Sequence, residues 1–150
     1  MTRHRPPLAA LTAAYLALVG WITLGPQPLD GDGQALVARI VDALAGIPLL
    51  AWLKVPTVEF AANIALFAPI GLLFALLLGR RRWWLAVLVG LVLTCTIEFA
   101  QQFLPTRVPD PRDLLANGLG AALGAGLGRL AAGRPGGTAP LRARRRPPPR

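Results

Sequence analysis

Residues 60–103 read FAANIALFAPIGLLFALLL, then GRRR, then WWLAVLVGLVLTCTIEFAQQF. Two apolar runs flank four residues, three of them arginines. A helix rises about 1.5 Å per residue, so each run of roughly 20 residues crosses a hydrocarbon layer about 30 Å thick. Backbone groups in lipid must be satisfied within the segment, which makes each run a helix. The arginines are too costly to carry into lipid, so they hold one membrane surface and the two runs close into a hairpin. Trp83 and Trp84 follow them at once, at the depth where indole rings prefer the headgroup zone. Working outward, Leu8 to Leu24 is uncharged and just long enough to span, and Pro111 to Leu130 is a further apolar run. The chain therefore reads as all-α and polytopic, with four transmembrane helices over about 8–24, 60–78, 83–103 and 111–130.

The composition agrees. Of 150 residues 54% are hydrophobic and mean hydropathy is +0.52, yet the net charge is +9 and the pI about 11.7. A basic pI ordinarily suggests nucleic-acid binding. Here the apolar residues are gathered into membrane-length runs, and no nucleic-acid partner is expected. Cys95 stands alone, which excludes a disulfide framework. One cysteine and one histidine supply no ligand set for haem or zinc, so no metal and no cofactor are expected.

The charges are sorted by loop. Arg3, Arg5, Arg80, Arg81, Arg82, Arg129, Arg134, Arg142, Arg144, Arg145, Arg146 and Arg150 fall at the N-terminus, the hairpin turn and the C-terminal end, with no acid among them. Arg39, Lys54, Arg107 and Arg112 share the other side with all seven acids: Asp30, Asp32, Asp42, Glu59, Glu98, Asp110 and Asp113. Short loops rich in Lys and Arg stay cytoplasmic. The expectation is a plasma-membrane protein with both termini in the cytoplasm and its acids outside. The first segment is longer than the apolar part of a typical signal peptide, and no small-residue cleavage site follows Leu24, so it reads as a retained helix.

The first outer loop contains Leu36, Val37, Ile40, Val41 and Leu44, with Arg39 and Asp42 opposite. That spacing predicts a short amphipathic helix lying on the surface or over the bundle. Residues 1–131 form the membrane domain, and 132–150, rich in Gly, Pro and Arg, read as a disordered cytoplasmic tail.

Polar residues within spanning helices are costly and mark function or packing. Here they collect at one end. The second segment opens with Glu59 and Asn63, four residues apart and so on one face. The third closes with Thr94, Cys95, Glu98, Gln101 and Gln102, all within about a third of the helix circumference. The fourth opens with Asp113 and Asn117, and Gly120, Gly124 and Gly128 continue that row. Small residues so spaced let helices approach closely, which turns Asp113 and Asn117 toward a neighbouring helix. The polar pairs are expected to converge on an outward-facing pocket with Arg107 and Arg112 at its mouth.

Plainer roles compete. Asp110-Pro111 has the form of an N-cap followed by a first-turn proline. Asn63 and Asn117 could serve only interhelical hydrogen bonds, and the glycine row is packing. Pro69 is expected to kink the second helix. Cys95 has no basic neighbour in sequence to form a thiolate, and His4 has no visible role. The C-terminal arginines set topology or touch anionic lipid. Glu98 resists such readings: it lies more than a turn inside its helix, where a carboxylate calls for a partner such as Arg107 or for a proton.

The stretch Thr96-Ile97-Glu98-Phe99-Ala100-Gln101-Gln102-Phe103-Leu104-Pro105-Thr106-Arg107, continued by Asp110, Asp113, Asn117, Gly120 and Gly124, resembles the VanZ-like family of small bacterial membrane proteins. Upstream, Asn63 followed by Phe67-Ala68-Pro69-Ile70-Gly71 resembles the same family's second-helix pattern, so the likeness covers about 59–128. The resemblance implies a place in the cell envelope and a link to low-level teicoplanin-type glycopeptide resistance, a form of antibiotic resistance. Some members carry a phosphotransbutyrylase label, but this chain has no Gly-rich phosphate loop after a strand.

Four functions follow as expectations. The first is binding of an amphiphile (a membrane lipid, a lipid-linked cell-wall intermediate or a lipoglycopeptide) at the outer leaflet by Glu59, Asn63, Glu98, Gln101, Gln102, Arg107, Asp110, Asp113 and Asn117. The second is an enzyme on an envelope lipid, with Glu98 and Asp113 as candidate catalytic acid/base pair. The third is a transporter subunit, for which the inner half lacks polar stepping stones. The fourth is a purely structural bundle. Homo-oligomerisation is left open.

Overall fold

The structure, a computed structural model, describes residues 6–25, 31–105 and 110–132. Arg107, the N-terminal arginines and the expected tail from 133 onward lie outside these residues. Five helices follow in order: α1 (Pro6–Leu24), α2 (Gly31–Ala45), α3 (Val55–Leu78), α4 (Trp83–Gln101) and α5 (Pro111–Ala131). Single 3₁₀ turns occupy Pro48–Leu50 and Arg80–Arg82, and there is no strand among the described residues. Four of the helices are long and apolar enough to cross a membrane: α1, α3, α4 with its preceding arginine turn, and α5.

Prolines explain where the helix ends depart from the apolar runs. The second segment begins at Val55 and not Phe60, because Pro56 needs no N–H in the first turn and is preset for helix. Glu59 accordingly sits one turn in. The third segment stops at Gln101 and not Phe103: Phe103 and Leu104 bond back to Ala100 and Gln101 in 3₁₀ fashion, ahead of Pro105, which disfavours helix in the residue before it. The first and last helices run slightly past expectation, to Pro6 and Ala131. Pro69 lies inside α3, which continues through it. Its ring displaces the bond to Ala65, and the next carbonyl, Leu66 O, takes the Tyr15 hydroxyl at 2.9 Å.

Lipid is as apolar as leucine, so helices in it associate through close packing and polar bonds, with little hydrophobic drive between them. α3 and α5 show the packing route. A Cβ on Gly120 would strike Ile64 O, one on Gly124 would strike Ala68 O, and one on Gly71 would strike Ala121 O. The two backbones therefore touch, and only glycine fits. Ala121 also fills a notch on α4, where a Cβ on Gly90 would meet its methyl. On the opposite side of α5, Leu115, Leu119, Leu123 and Leu127 are exposed, the face a spanning helix offers to lipid.

Val19, Phe67, Ile70 and Ile97 join α1, α3 and α4 in one buried cluster. Ala75, Ala86 and Ala125 make a second, against Trp83, at the arginine end. The turn between α3 and α4 needs Gly79, whose φ of 80° side-chain-bearing residues rarely adopt. The amphipathic helix expected in the first loop is α2. Only its Val41 is buried, and Leu36, Ile40 and Leu44 remain exposed.

Candidate functional site

The polar residues meet at the end opposite the arginine turn, where α3 and α5 begin and α1 and α4 finish. Asp110 caps α5: its carboxylate accepts from the Arg112 N–H at 2.8 Å, with Pro111 in the first turn. That cap fixes the start of α5 and sets Asp113 one turn in. There Asp113 Oδ1 accepts from Asn63 Nδ2 of α3 at 2.6 Å. A carboxylate bond at this length is charge-assisted and among the stronger polar ties available.

Glu98 is 7% exposed. Its carboxylate faces the backbone N–H of Asp110 and lies near Asp113. The expected partner, Arg107, lies outside the described residues. The start of α5 supplies one instead: an N–H before the first turn, of the kind that helix starts leave without an intrahelical acceptor. Glu59, exposed on α3, and Arg112 both act electrostatically on Asp113. Three helices thus bring four carboxylates to one bundle end. Among the described residues no three acids, histidines or cysteines are arranged to hold a metal ion.

One turn deeper, Asn117 Nδ2 donates to Thr94 Oγ1 at 2.9 Å. Thr94 is fully buried and Asn117 is 4% exposed. The Asn117 Oδ1 has no hydrogen-bond partner among the described residues. Oxygen and nitrogen of an amide can exchange places, so the firm content is that one of its two polar atoms is unmatched.

The expected polar stripe on α4 divides. Thr94, Glu98 and Gln101 are buried, but Cys95 and Gln102 are exposed. At about 100° per residue, those two stand roughly a quarter-turn from the buried line, beyond the reach of α1 and α5. Cys95 instead borders an open apolar groove of about 400 Å³ on the outer face of α4, with Leu91, Val92, Thr96 and Phe99. Gln101 Nε2 donates to Thr23 O at 3.0 Å. Thr23 is in the last turn of α1, where carbonyls lack helical partners, so Gln101 closes that helix end. Sequence reasoning missed Thr23 and Tyr15. The Tyr15 hydroxyl donates to a backbone carbonyl of α3, and Thr23 takes part through its own backbone carbonyl, neither of which a side-chain pattern announces.

Asp113 and Asn117 both face neighbouring helices, but different ones, α3 and α4. Gly120, Gly124 and Gly128 pack on α3 as the row implied.

Four apolar spans, joined by close packing below and polar bonds above, define a small multi-pass α-helical membrane protein. Residues 12–132 match the VanZ/LLP1 family, and the chain belongs to it. The match takes in α1 and α2, well beyond the stretch carrying the sequence motifs. No curated protein and no solved structure matches the chain.

Proposed function

We propose that this protein binds the polar head of an envelope amphiphile at the acid end of the bundle. The observation that carries this is Glu98, a buried carboxylate set beside Asp113 and Asp110 where three helices meet. Carboxylates and an amide present mainly acceptors, which suit a head bearing hydroxyl or ammonium donors. The exposed leucines of α5 keep the site beside lipid tails, so a lipid or lipoglycopeptide can reach it without leaving the membrane. In the orientation set by the arginines this end faces outward from a bacterial plasma membrane, with both termini cytoplasmic. On this reading, occupation of the site is what would link the chain to the teicoplanin-type resistance that its family resemblance implies.

The test is the lipid that co-purifies. Extracts of wild-type protein and of Glu98→Gln, purified alike, are compared by mass spectrometry. The wild type is expected to retain an amphiphile that the variant loses. Identical lipid complements in both would sink the reading.

A second reading has its own support. Glu98 and Asp113 come from different helices and lie near each other, and two neighbouring carboxyl groups can divide acid and base roles between them. An enzyme of this kind predicts a product from envelope lipids that disappears in both Glu98→Gln and Asp113→Asn. Transport is less well supported, because below Asn117 α3 and α5 touch backbone to backbone.

A further inference from the structure

The opposite end of the bundle has an unbalanced charge of its own. Arg80, Arg81 and Arg82 are exposed in the 3₁₀ turn, and Arg129, exposed near the end of α5, lays its guanidinium 5.2 Å from the centroid of the Trp83 ring. Four guanidinium groups therefore crowd one end. The nearest acid to Arg82 along α4 is Glu98, and the nearest to Arg129 along α5 is Asp113. Each is sixteen residues away, about 24 Å along its helix. Glu59, on α3, is farther still from Arg80. These helices supply no counter-ion to this end, and like charges held together repel unless an anion comes between them.

The surroundings say what kind of anion. Trp84 is more than half exposed beside the turn, and indole rings at the end of a spanning helix seek headgroup depth. Stacking on Trp83 holds the Arg129 guanidinium in place while leaving its edge open, and a guanidinium edge pairs with two phosphate oxygens. We infer that Arg80, Arg81, Arg82 and Arg129, with Trp83 as the platform, form a binding site for the phosphate of an anionic membrane lipid. It stands apart from the acid end and does not depend on the function proposed there.

The test uses the tryptophans. Trp21 and Trp52 are replaced by phenylalanine, leaving Trp83 and Trp84 as reporters in the full chain. The protein is reconstituted into vesicles of phosphatidylcholine and phosphatidylglycerol, identical in both leaflets so that its orientation does not matter. Emission is followed with one lipid or the other brominated. Brominated phosphatidylglycerol is expected to quench at a several-fold lower mole fraction than brominated phosphatidylcholine. The preference should shrink with each arginine removed and vanish in R80Q/R81Q/R82Q/R129Q. If that variant does not yield helical, monodisperse protein, R81Q and R129Q singly carry the test, each lowering the preference. Arg39→Gln, which neutralises an exposed arginine of α2, should leave the preference unchanged. Equal quenching by both lipids in the wild type would overturn the inference, as would a preference that survives the arginine substitutions. So would full displacement by millimolar inorganic phosphate, which would mark a site for soluble anions.

Discussion

The interface between α3 and α5 is built in two ways along its length. Toward the arginine end, Gly71, Gly120 and Gly124 let backbone rest on backbone. Toward the acid end, Asn63 and Asp113 meet through side chains. The first region derives its strength from shape and has no place for a guest. The second keeps carboxylates and an unmatched amide atom at the helix junction, which a bundle shaped only by packing would have no reason to retain. The difference teaches that rigidity and chemistry are separated along one pair of helices, and that the glycines hold the frame against which the polar end is positioned.

That contrast can be broken most forcefully from the glycine side. Gly124→Val would drive a side chain into Ala68 O, and we expect a loss of about 3 kcal/mol or more, read as the midpoint of unfolding in mixed micelles. Gly126, two residues on, has open space where its Cβ would go. Gly126→Ala should be neutral, or stabilising by less than ~1 kcal/mol. Equal losses at both positions would show that helix flexibility matters here and close packing does not.

A smaller effect sharpens the polar half. Asn117→Ala should cost about 1 kcal/mol through the lost bond to Thr94. Asn117→Leu combined with Thr94→Val should recover most of it, since removing both partners leaves neither unmatched. A double-mutant cycle reads the coupling directly. Strict additivity would mean that the bond contributes nothing. Smallest is Gln101→Ala, at roughly 0.5 kcal/mol. It should show less in global stability than in faster amide exchange at the last turn of α1, whose Thr23 carbonyl it releases.

Much of this architecture was legible in the residues. The four spans follow from run length, and the glycine row on α5 announces a close neighbour. The identity of that neighbour was not legible: Ile64, Ala68 and Gly71 on α3 become its seat only once the helices are arranged. The helix ends were misjudged where prolines act, because Pro56 extends an N-terminus into polar sequence and Pro105 ends a helix inside apolar sequence. On α4 the wheel admitted Cys95 and Gln102 beside Glu98. A helix buries a stripe only as wide as its neighbours cover, and their placement is tertiary information. Gln101 stood out as a polar residue of the α4 stripe, and its hold on α1 was not legible because its partner is a carbonyl 78 positions away in sequence.

The sparse hold on α1 has a mechanical consequence. Among the described residues only Thr12 and Val19 of this helix are buried, and its polar ties to the rest include the Tyr15 hydroxyl and the Gln101 amide. Under tension from the N-terminus the load reaches these few points in turn, while α3, α4 and α5 share theirs across interlocked backbones. The bundle thus has a preferred order of rupture, with α1 the first stave to leave and a three-helix remnant still bearing force. A pulling trace should contain that release as a separate early step, roughly 60–70 Å of chain once a segment of this length is drawn straight.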